Sequence, residues 1–319
     1  MREVVTILDD YQGVALSSAD WTAVHAVFDV EVIGEHIADP DELVTRLRGS
    51  SVVVAMRERT PFPASVLSRL PALRLLVTTG MRNASVDLAA AREHGVLVCG
   101  TAGGGNDVPE LTFGMMVALT RDFAGADRDV RDGRWQRGIG PRLAGHTLGV
   151  VGLGRLGGPV ARLAQAFGMN VIAWSPHLTR ERAAEWGATA VTKEALFAES
   201  DVVTIHLPLA PGTRGIVGEK ELRGMRPTAF LINTSRGPIV DEAALVSVLA
   251  DRAIAGAGLD VYDTEPLPGD HPLTRLPNTL LLPHIGYVTT DAYAVFFRDV
   301  VEDVLAFAAG RPVRVLDIE

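Results

Sequence analysis

Short apolar runs rich in β-branched residues alternate along the chain with helix-length amphipathic segments. In the first hundred residues these runs predict strands at Val4–Leu8, Val30–Ile33, Val52–Ala55, Leu75–Thr78 and Val96–Val98. In the second half they predict strands at Leu148–Val151, Val171–Trp174, Val202–Ile205, Ala229–Ile232, Ala255–Leu259 and Leu280–Leu282. This alternation is typical of βαβ units, so it predicts two α/β series, each built on a parallel sheet.

The segments outside these runs predict several helices. The clearest are at 156–167, 242–250 and 290–309. The stretch Val108–Leu119 is almost wholly apolar and predicts a buried crossing helix. The charged stretch Arg121–Arg142 contains an isolated Trp135 and cannot form a core alone. We expect it to be an arm that packs on another subunit.

Composition limits the classes of function. A length of 319 residues favours two domains, although one large α/β barrel also fits. Lys and Arg total 30 against 39 Asp and Glu, a net charge of −9, so no basic excess is present to bind nucleic acid or an anionic membrane. Cys99 is the single cysteine, which excludes an intrachain disulfide and suits a reducing compartment. No apolar run reaches the roughly 18 residues that span a bilayer. No HxxxH or HExxH spacing indicates a metal. We therefore expect a cytoplasmic protein without a metal site.

A glycine fingerprint follows the predicted strand at 148–151. It reads Gly152-Leu-Gly154-Arg-Leu-Gly157. Gly152 permits a tight turn, Gly154 lets the backbone approach a pyrophosphate, and Gly157 lets the next helix pack closely on the strand. The amino terminus of that helix offers N–H groups and a positive dipole end to phosphates. The pattern predicts a dinucleotide-binding turn.

The second strand of this series ends without the acidic residue that usually binds a ribose 2′-hydroxyl. Ser175 occupies that position, and His177 and Arg180 follow it. Without the carboxylate a 2′-phosphate is not repelled, whereas a serine also hydrogen-bonds an unphosphorylated ribose. The cofactor is therefore NAD or NADP, and Ser175 favours NADP slightly.

A complete α/β series precedes the fingerprint, and Gly103-Gly104-Gly105 separates the two series. We predict an α/β protein of two doubly wound parallel-sheet domains. Residues 1–102 and 288–319 form a discontinuous, flavodoxin-like substrate domain, to which the final helix returns. Residues 103–287 form a Rossmann nucleotide-binding domain, and we expect the ligand-binding cleft between the two domains.

Three polar segments follow predicted strands of the second series, at the edge where an open parallel sheet binds ligands. They contain Arg236, Glu265 and His284. Arg236 offers a planar, permanently charged fork that suits a carboxylate. His284 suits proton exchange with a substrate oxygen, and Glu265 is the neighbouring acid that would fix its tautomer.

With these segments in place, the chain resembles the D-isomer-specific 2-hydroxyacid dehydrogenases over nearly its whole length. The matching motifs occur in the family's order and at its spacing: Gly145–Gly157, His206–Leu209, Asn233–Asp241, Gly258–Tyr262, Glu265–Pro266 and Pro283–Gly286. The resemblance implies that Arg236 binds the substrate carboxylate and carbonyl, that His284 is the general acid/base and that Glu265 orients His284.

The resemblance also implies a set of cofactor-binding residues, with Asp260 beside the nicotinamide. Together with the fingerprint and the strand end, the set is Gly152, Gly154, Arg155, Leu156, Gly157, Ser175, His206, Pro208, Thr213, Thr234, Ser235, Asp260 and Gly286.

In the first domain, the resemblance implies that Gly80 and Met81 present backbone N–H groups to the substrate carboxylate. Where many members have a Gly-x-Gly turn, this chain reads Gly80-Met81-Arg82-Asn83. Arg82 and Arg57 either add positive charge to the substrate pocket or point into solvent. We count Arg57 among the candidate substrate-binding residues.

These observations predict an NAD(P)-dependent oxidoreductase that transfers a hydride between nicotinamide and C2 of a 2-keto acid or D-2-hydroxy acid. A formate or phosphite dehydrogenase on the same scaffold and a non-catalytic dinucleotide-sensing protein are the alternatives. The resemblance also implies a homodimer that associates through residues 108–142. No nucleic-acid or membrane partner is expected.

Overall fold

A computed structural model of the chain describes residues 2–103 and 105–317. The chain divides into two compact units, one of Met1–Gly105 with Val288–Glu319 and one of Asn106–Tyr287. The sequence boundaries were placed after residues 102 and 287. Gly104, in the glycine run used for the first boundary, lies outside the described residues.

The first unit contains a five-stranded parallel sheet. Its strands are β1 (Glu3–Ile7), β2 (Phe28–Val32), β3 (Ser50–Ala55), β4 (Leu75–Thr78) and β5 (Leu97–Gly100). Their spatial order is β2-β1-β3-β4-β5, the flavodoxin-like order. β3 and β4 are buried at every position, as expected for central strands that are covered on both faces.

Short helices connect these strands. They are α1 (Thr22–Val27), α2 (Pro40–Leu47), α3 (Ala64–Leu67) and α4 (Leu88–Glu93). α2 begins at Pro40, because Asp39 accepts the Asp41 N–H and Pro40 suits the first helical turn. α2, α3 and α4 bury their apolar faces in one core with the sheet, in which Leu47, Phe62 and Leu67 are almost fully buried.

The second unit contains a seven-stranded sheet in which every pairing is parallel. Its strands are β6 (Thr147–Val151), β7 (Asn170–Trp174), β8 (Thr189–Ala190), β9 (Val202–Ile205), β10 (Phe230–Asn233), β11 (Gly256–Leu259) and β12 (Thr279–Leu281). The spatial order is β12-β11-β10-β9-β6-β7-β8, so the winding reverses between β6 and β9. That reversal is where an open α/β sheet of the Rossmann type binds its ligand.

Seven helices of this unit are described. They are α5 (Asp107–Thr120), α6 (Phe123–Arg131), α7 (Gly157–Ala166), α8 (Arg180–Ala184), α9 (Lys193–Glu199), α10 (Glu219–Arg223) and α11 (Glu242–Ala250). Two 3₁₀ turns lie at Gly237–Ile239 and Pro272–Arg275. α5 packs against the sheet through Phe113 and Met116, as its apolar sequence predicts.

The last helix, α12 (Thr290–Ala308), belongs to the first unit. It buries Phe296, Phe297, Val300 and Val304 completely. The two doubly wound parallel sheets confirm the predicted fold class. The pattern of residues 121–142 did not predict α6, a helix that has no buried residue.

Candidate active site

Three neighbouring strands of the second unit end beside one another and carry the predicted catalytic residues. β10 pairs with β11, and β11 pairs with β12, all in parallel. The loops continue this order, because Asp260 N–H donates to Asn233 O at 3.0 Å and Leu282 N–H donates to Leu259 O at 2.8 Å. Arg236, Glu265 and His284 lie in these three loops, at one edge of the sheet.

His284 and Glu265 form a close pair. His284 Nδ1 lies 2.6 Å from Glu265 Oε2. The other carboxylate oxygen of Glu265 accepts the Tyr262 backbone N–H at 2.9 Å, so the carboxylate is held at both oxygens. Because Nδ1 of the imidazole is engaged, Nε2 is the ring atom left to exchange a proton with a substrate.

Asp260 fixes the backbone that follows His284. Its carboxylate oxygens accept the Ile285 and Gly286 N–H groups, each at 2.8 Å. Asp260 is 1% exposed, and burial raises the pKa of its carboxyl group, while the two N–H bonds and the neighbouring His284 oppose that shift. The resemblance implied that Asp260 lies beside the cofactor and did not reveal this backbone contact.

Tyr262 joins the loops of the site, a role that the sequence did not reveal. Its hydroxyl group lies 3.1 Å from Leu259 O and 2.9 Å from Leu282 O, at the ends of β11 and β12. Burial raises the pKa of the Tyr262 phenol. The phenol therefore stays protonated and acts as a donor. The motif Gly258–Tyr262 contained the residue, but only the fold shows which carbonyl groups it reaches.

The backbone around Arg236 is tightly held. Asn233 Nδ2 donates to Arg236 O at 3.0 Å, and Asn233 Oδ1 accepts the Ser235 N–H at 3.0 Å. A Cβ atom at Gly237 would lie 2.0 Å from the Tyr262 carbonyl carbon, so the Arg236 loop packs directly on the Glu265 loop. The half-buried Arg236 guanidinium donates to Ser235 O at 2.7 Å.

The glycine turn between β6 and α7 has the backbone geometry that a dinucleotide pyrophosphate needs. Gly152 has a φ of +98°, and a Cβ atom there would lie 2.8 Å from the backbone of His206 and Leu207. A Cβ atom at Gly157 would lie 2.2 Å from Gly152 O, whereas none of the described atoms approaches one at Gly154 within 4 Å. The close contacts and the open position match the three roles of this fingerprint.

The other predicted cofactor residues surround the ends of β6, β7, β9 and β10. Arg155 and Pro208 are exposed, while Leu156, Ser175 and Thr213 are half-buried. Two hydroxyl groups bind within the loops: Thr213 Oγ1 donates to Pro208 O at 2.7 Å, and Ser235 Oγ donates to Leu207 O at 2.5 Å. Thr234 Oγ1 lies 2.8 Å from Thr112 Oγ1 of α5.

His206 is a further indication that a ligand binds at the end of β9. Its Nε2 lies 3.0 Å from Thr204 Oγ1, whereas its buried Nδ1 has no hydrogen-bond partner among the described residues. Burial lowers the pKa of His206 to about 4, so the ring is neutral near pH 7. A buried, unsatisfied ring nitrogen is an atom that a bound polar ligand would satisfy.

The first unit holds the predicted residues Arg57, Gly80 and Met81. The Gly80 N–H donates to Thr101 Oγ1 at 2.8 Å. Met81 is exposed, as is Arg82, and Arg57 is half-buried.

Two absences hold for the described residues. Within 2–103 and 105–317, no group of three His, Cys, Asp or Glu side chains is arranged to hold a metal ion. No helix in those ranges is long and apolar enough to cross a membrane.

Comparison with known proteins identifies the family. A family model described as D-isomer specific 2-hydroxyacid dehydrogenase, NAD binding domain, matches residues 113–286. A glyoxylate reductase of Korarchaeum cryptofilum is 36% identical over 287 residues, which are 88% of this chain and 83% of that protein. A D-3-phosphoglycerate dehydrogenase of Archaeoglobus fulgidus is 35% identical over 277 residues, which are 86% of this chain. The match covers 52% of that protein, so the chain spans about half the length of this relative.

A solved structure agrees with these sequence matches. The phosphoglycerate oxidoreductase from Vibrio cholerae O395 superposes with a TM-score of 0.92 and 35% sequence identity, and the match covers 97% of this chain and 100% of that one. The fold, the family model and the relatives agree with the resemblance seen in the motifs. The chain belongs to the D-isomer-specific 2-hydroxyacid dehydrogenase family of nicotinamide-dependent oxidoreductases.

Proposed function

We propose that the protein interconverts a 2-keto acid and a D-2-hydroxy acid, with His284 as the general acid/base. The observation that carries the proposal is the His284–Glu265 pair, with its 2.6 Å Nδ1–Oε2 distance, on a backbone held by Asp260. Such a pair is built to move one proton at a defined atom, Nε2.

In this mechanism, Arg236, His284 and Glu265 have different tasks. Arg236 binds the substrate carboxylate and polarises the carbonyl group. In the reductive direction His284 Nε2 donates a proton to the carbonyl oxygen, and in the oxidative direction it accepts the hydroxyl proton. Glu265 holds the ring in the correct tautomer and stabilises the imidazolium form. The cofactor, when bound, supplies the hydride for reduction or takes it up in oxidation.

The cofactor assignment rests on the glycine turn and on the end of β7. Gly152, Gly154 and Gly157 would hold the pyrophosphate, with the amino terminus of α7. Ser175 follows β7, and it leaves no carboxylate at that position to repel a 2′-phosphate. This favours NADP, and the exposed side chains of His177 and Arg180 lie in the next few residues to contact a phosphate.

The first unit contributes substrate-binding groups in this proposal. Arg57 and the backbone N–H groups of Gly80 and Met81 are the candidates, and the Gly80 N–H also reaches Thr101 Oγ1 at 2.8 Å. Arg57 would supply positive charge for the anionic substrate.

We also propose that the protein is a homodimer that associates through residues 108–142. Exposed apolar side chains are concentrated there: Phe123, Val130, Trp135 and Ile139 are 54%, 56%, 75% and 103% exposed. Covering such side chains is a common reason for association, and a second copy is the simplest partner with a matching surface.

A matrix of substrates and cofactors tests the proposed reaction. Glyoxylate, hydroxypyruvate and pyruvate would each be offered with NADH and with NADPH, and formate and phosphite with NAD and NADP. We expect keto-acid-dependent oxidation of the reduced cofactor, with a higher kcat/KM for NADPH. Oxidation of formate or phosphite, or cofactor binding without turnover of any keto acid, would contradict the proposal and favour an alternative.

A further inference from the structure

The turn after β4 holds the backbone and the side chain of Arg57. We propose that Asn83 is a positioning residue that sets the Arg57 guanidinium as the anion-binding group of this turn. The inference rests on the proposed substrate-binding role of Arg57. It adds a residue to which neither the motifs nor the resemblance gave a role.

Arg57 follows β3 in an unusual backbone conformation. Its φ is +53°, in the left-handed region that residues with a Cβ atom rarely adopt. Two side chains of the next loop hold it there. The Arg57 N–H donates to Thr79 Oγ1 at 3.0 Å, and Asn83 Nδ2 donates to the Arg57 carbonyl oxygen at 2.6 Å. The conformation therefore depends on side chains that follow β4.

Asn83 suits this task because all its polar atoms are used. Its amide nitrogen also donates to Thr78 Oγ1 at 2.8 Å, and its amide oxygen accepts the Ser85 N–H at 2.9 Å. An aspartate has the same shape and would keep the bond from Ser85. It has no N–H group to give to Arg57 or Thr78, so it would lose the contact that fixes Arg57.

The guanidinium group of Arg57 lies against Gly80. A Cβ atom at Gly80, where φ is +98°, would lie 2.7 Å from one terminal nitrogen of Arg57. The Arg57 side chain is 24% exposed, so its charge is partly removed from water. Attraction to an anion is stronger in such surroundings than in open solvent.

The Gly80 N–H is bound to Thr101, and the guanidinium covers the same glycine. The Arg57 guanidinium therefore adds a charged side chain to the backbone N–H groups of this turn as an anion-binding group. A side chain binds an anion in a defined position only if its neighbours fix its direction. Thr79, Gly80 and Asn83 contact Arg57 and do so.

Steady-state kinetics of four variants test the inference: Asn83→Ala, Asn83→Asp, Arg57→Ala and the double variant Arg57→Ala/Asn83→Ala. With the preferred keto acid and saturating cofactor, we expect Arg57→Ala to raise KM about tenfold or more. Each Asn83 variant should raise KM about fivefold, with kcat changed by less than about twofold, because chemistry at His284 is untouched. The double variant should resemble Arg57→Ala, because Asn83 acts only through Arg57.

Ser85→Ala is the matched control in the same turn. Its hydroxyl group makes only a 3.5 Å contact with Glu58 O, and its backbone N–H is retained. Thermal unfolding of every variant distinguishes loss of folding from loss of the contact with Arg57. If Asn83→Ala is unstable, Asn83→Asp serves as the test, because it retains the bond from the Ser85 N–H. An unchanged KM in Asn83→Asp, while Arg57→Ala raises KM, would overturn the inference. So would effects that multiply in the double variant. An unchanged KM in Arg57→Ala would instead refute the proposed role of Arg57.

Discussion

His284 adopts a left-handed backbone conformation, with a φ of +54°. Such a conformation costs about 1–3 kcal/mol in a residue with a Cβ atom, so the surrounding structure has to impose it. The Asp260 carboxylate does so through the Ile285 and Gly286 N–H groups. The strain is thus located at the residue whose position matters most for proton transfer.

Asp303 gives the stability of the first unit a dependence on pH. It lies in α12, is fully buried, and one of its oxygens has no hydrogen-bond partner among the described residues. Burial raises the pKa of Asp303 to about 7 from 3.8, although Arg314, with a nitrogen 3.0 Å from the other oxygen, opposes the shift. At a pH between these two pKa values, Asp303 is therefore protonated in the folded chain and ionised in the unfolded chain.

The sign follows from this difference. Between about pH 4 and pH 7 the folded state binds more protons at Asp303 than the unfolded state, so this carboxyl group lowers the free energy of unfolding as pH rises. The slope from one group is at most about 1.4 kcal/mol per pH unit. Asp303→Asn should remove that contribution in urea unfolding measured across the window. Asp291→Asn, at an exposed position of the same helix, is the control and should keep the wild-type slope. Equal slopes for Asp303→Asn and wild type would contradict the assignment.

At the level of single residues, the sequence indicated the chemical type of each site residue better than it indicated the hydrogen-bond partners of that residue. Arg236, Glu265 and His284 were found because each follows a predicted strand of the second series. The bond from the Gly80 N–H to Thr101 was not foreseen, because Thr101 is distant in sequence and adjacent only in the sheet. The contacts of Asp260 and Tyr262 involve backbone groups of other loops, which a residue pattern does not encode.

At the scale of elements, apolar runs located the central strands well. Leu75–Thr78 and Val202–Ile205 have the predicted bounds, because both are short, fully buried strands between turns. β8 was missed since it has only 2 residues and pairs with β7 alone. α6 was missed because seven of its nine residues are Gly, Ala or charged, so Phe123 and Val130 are its only large apolar residues and form too short a pattern to detect.

The exposed face of α6 and the segment after it support the proposal of a dimer. Light scattering should give twice the 34.0 kDa mass of one chain. Trp135→Ala combined with Ile139→Asp should shift the protein towards monomer, because both side chains are exposed in a single chain. Leu16→Asp changes an exposed apolar residue of the first unit and should leave the mass unchanged. A monomeric wild-type protein would contradict the proposal.

At the scale of the whole molecule, the regular alternation of strands and helices predicted both sheets, because a parallel sheet requires a crossover after each strand. The assignment of α12 was harder, since the helix follows the second series directly. Its burial in the first unit arises from contacts with residues far away in sequence, such as Ala102, whose N–H donates to Asp299 at 2.9 Å. The return of this helix to the first domain was predicted from the order of segments along the chain, whereas the contacts that hold it there were not.

In the proposed mechanism, His284, held by Glu265, exchanges the proton with the substrate oxygen. The most direct measurement is kcat of His284→Gln for reduction of the preferred keto acid at saturating cofactor. His271→Gln is the matched control, because His271 also faces a carboxylate, with its Nε2 3.2 Å from Glu242. We predict that His284→Gln lowers kcat at least about a hundredfold, as loss of general acid/base catalysis usually does, while His271→Gln keeps the wild-type rate. A kcat of His284→Gln within about threefold of wild type would contradict the role of His284 as general acid/base.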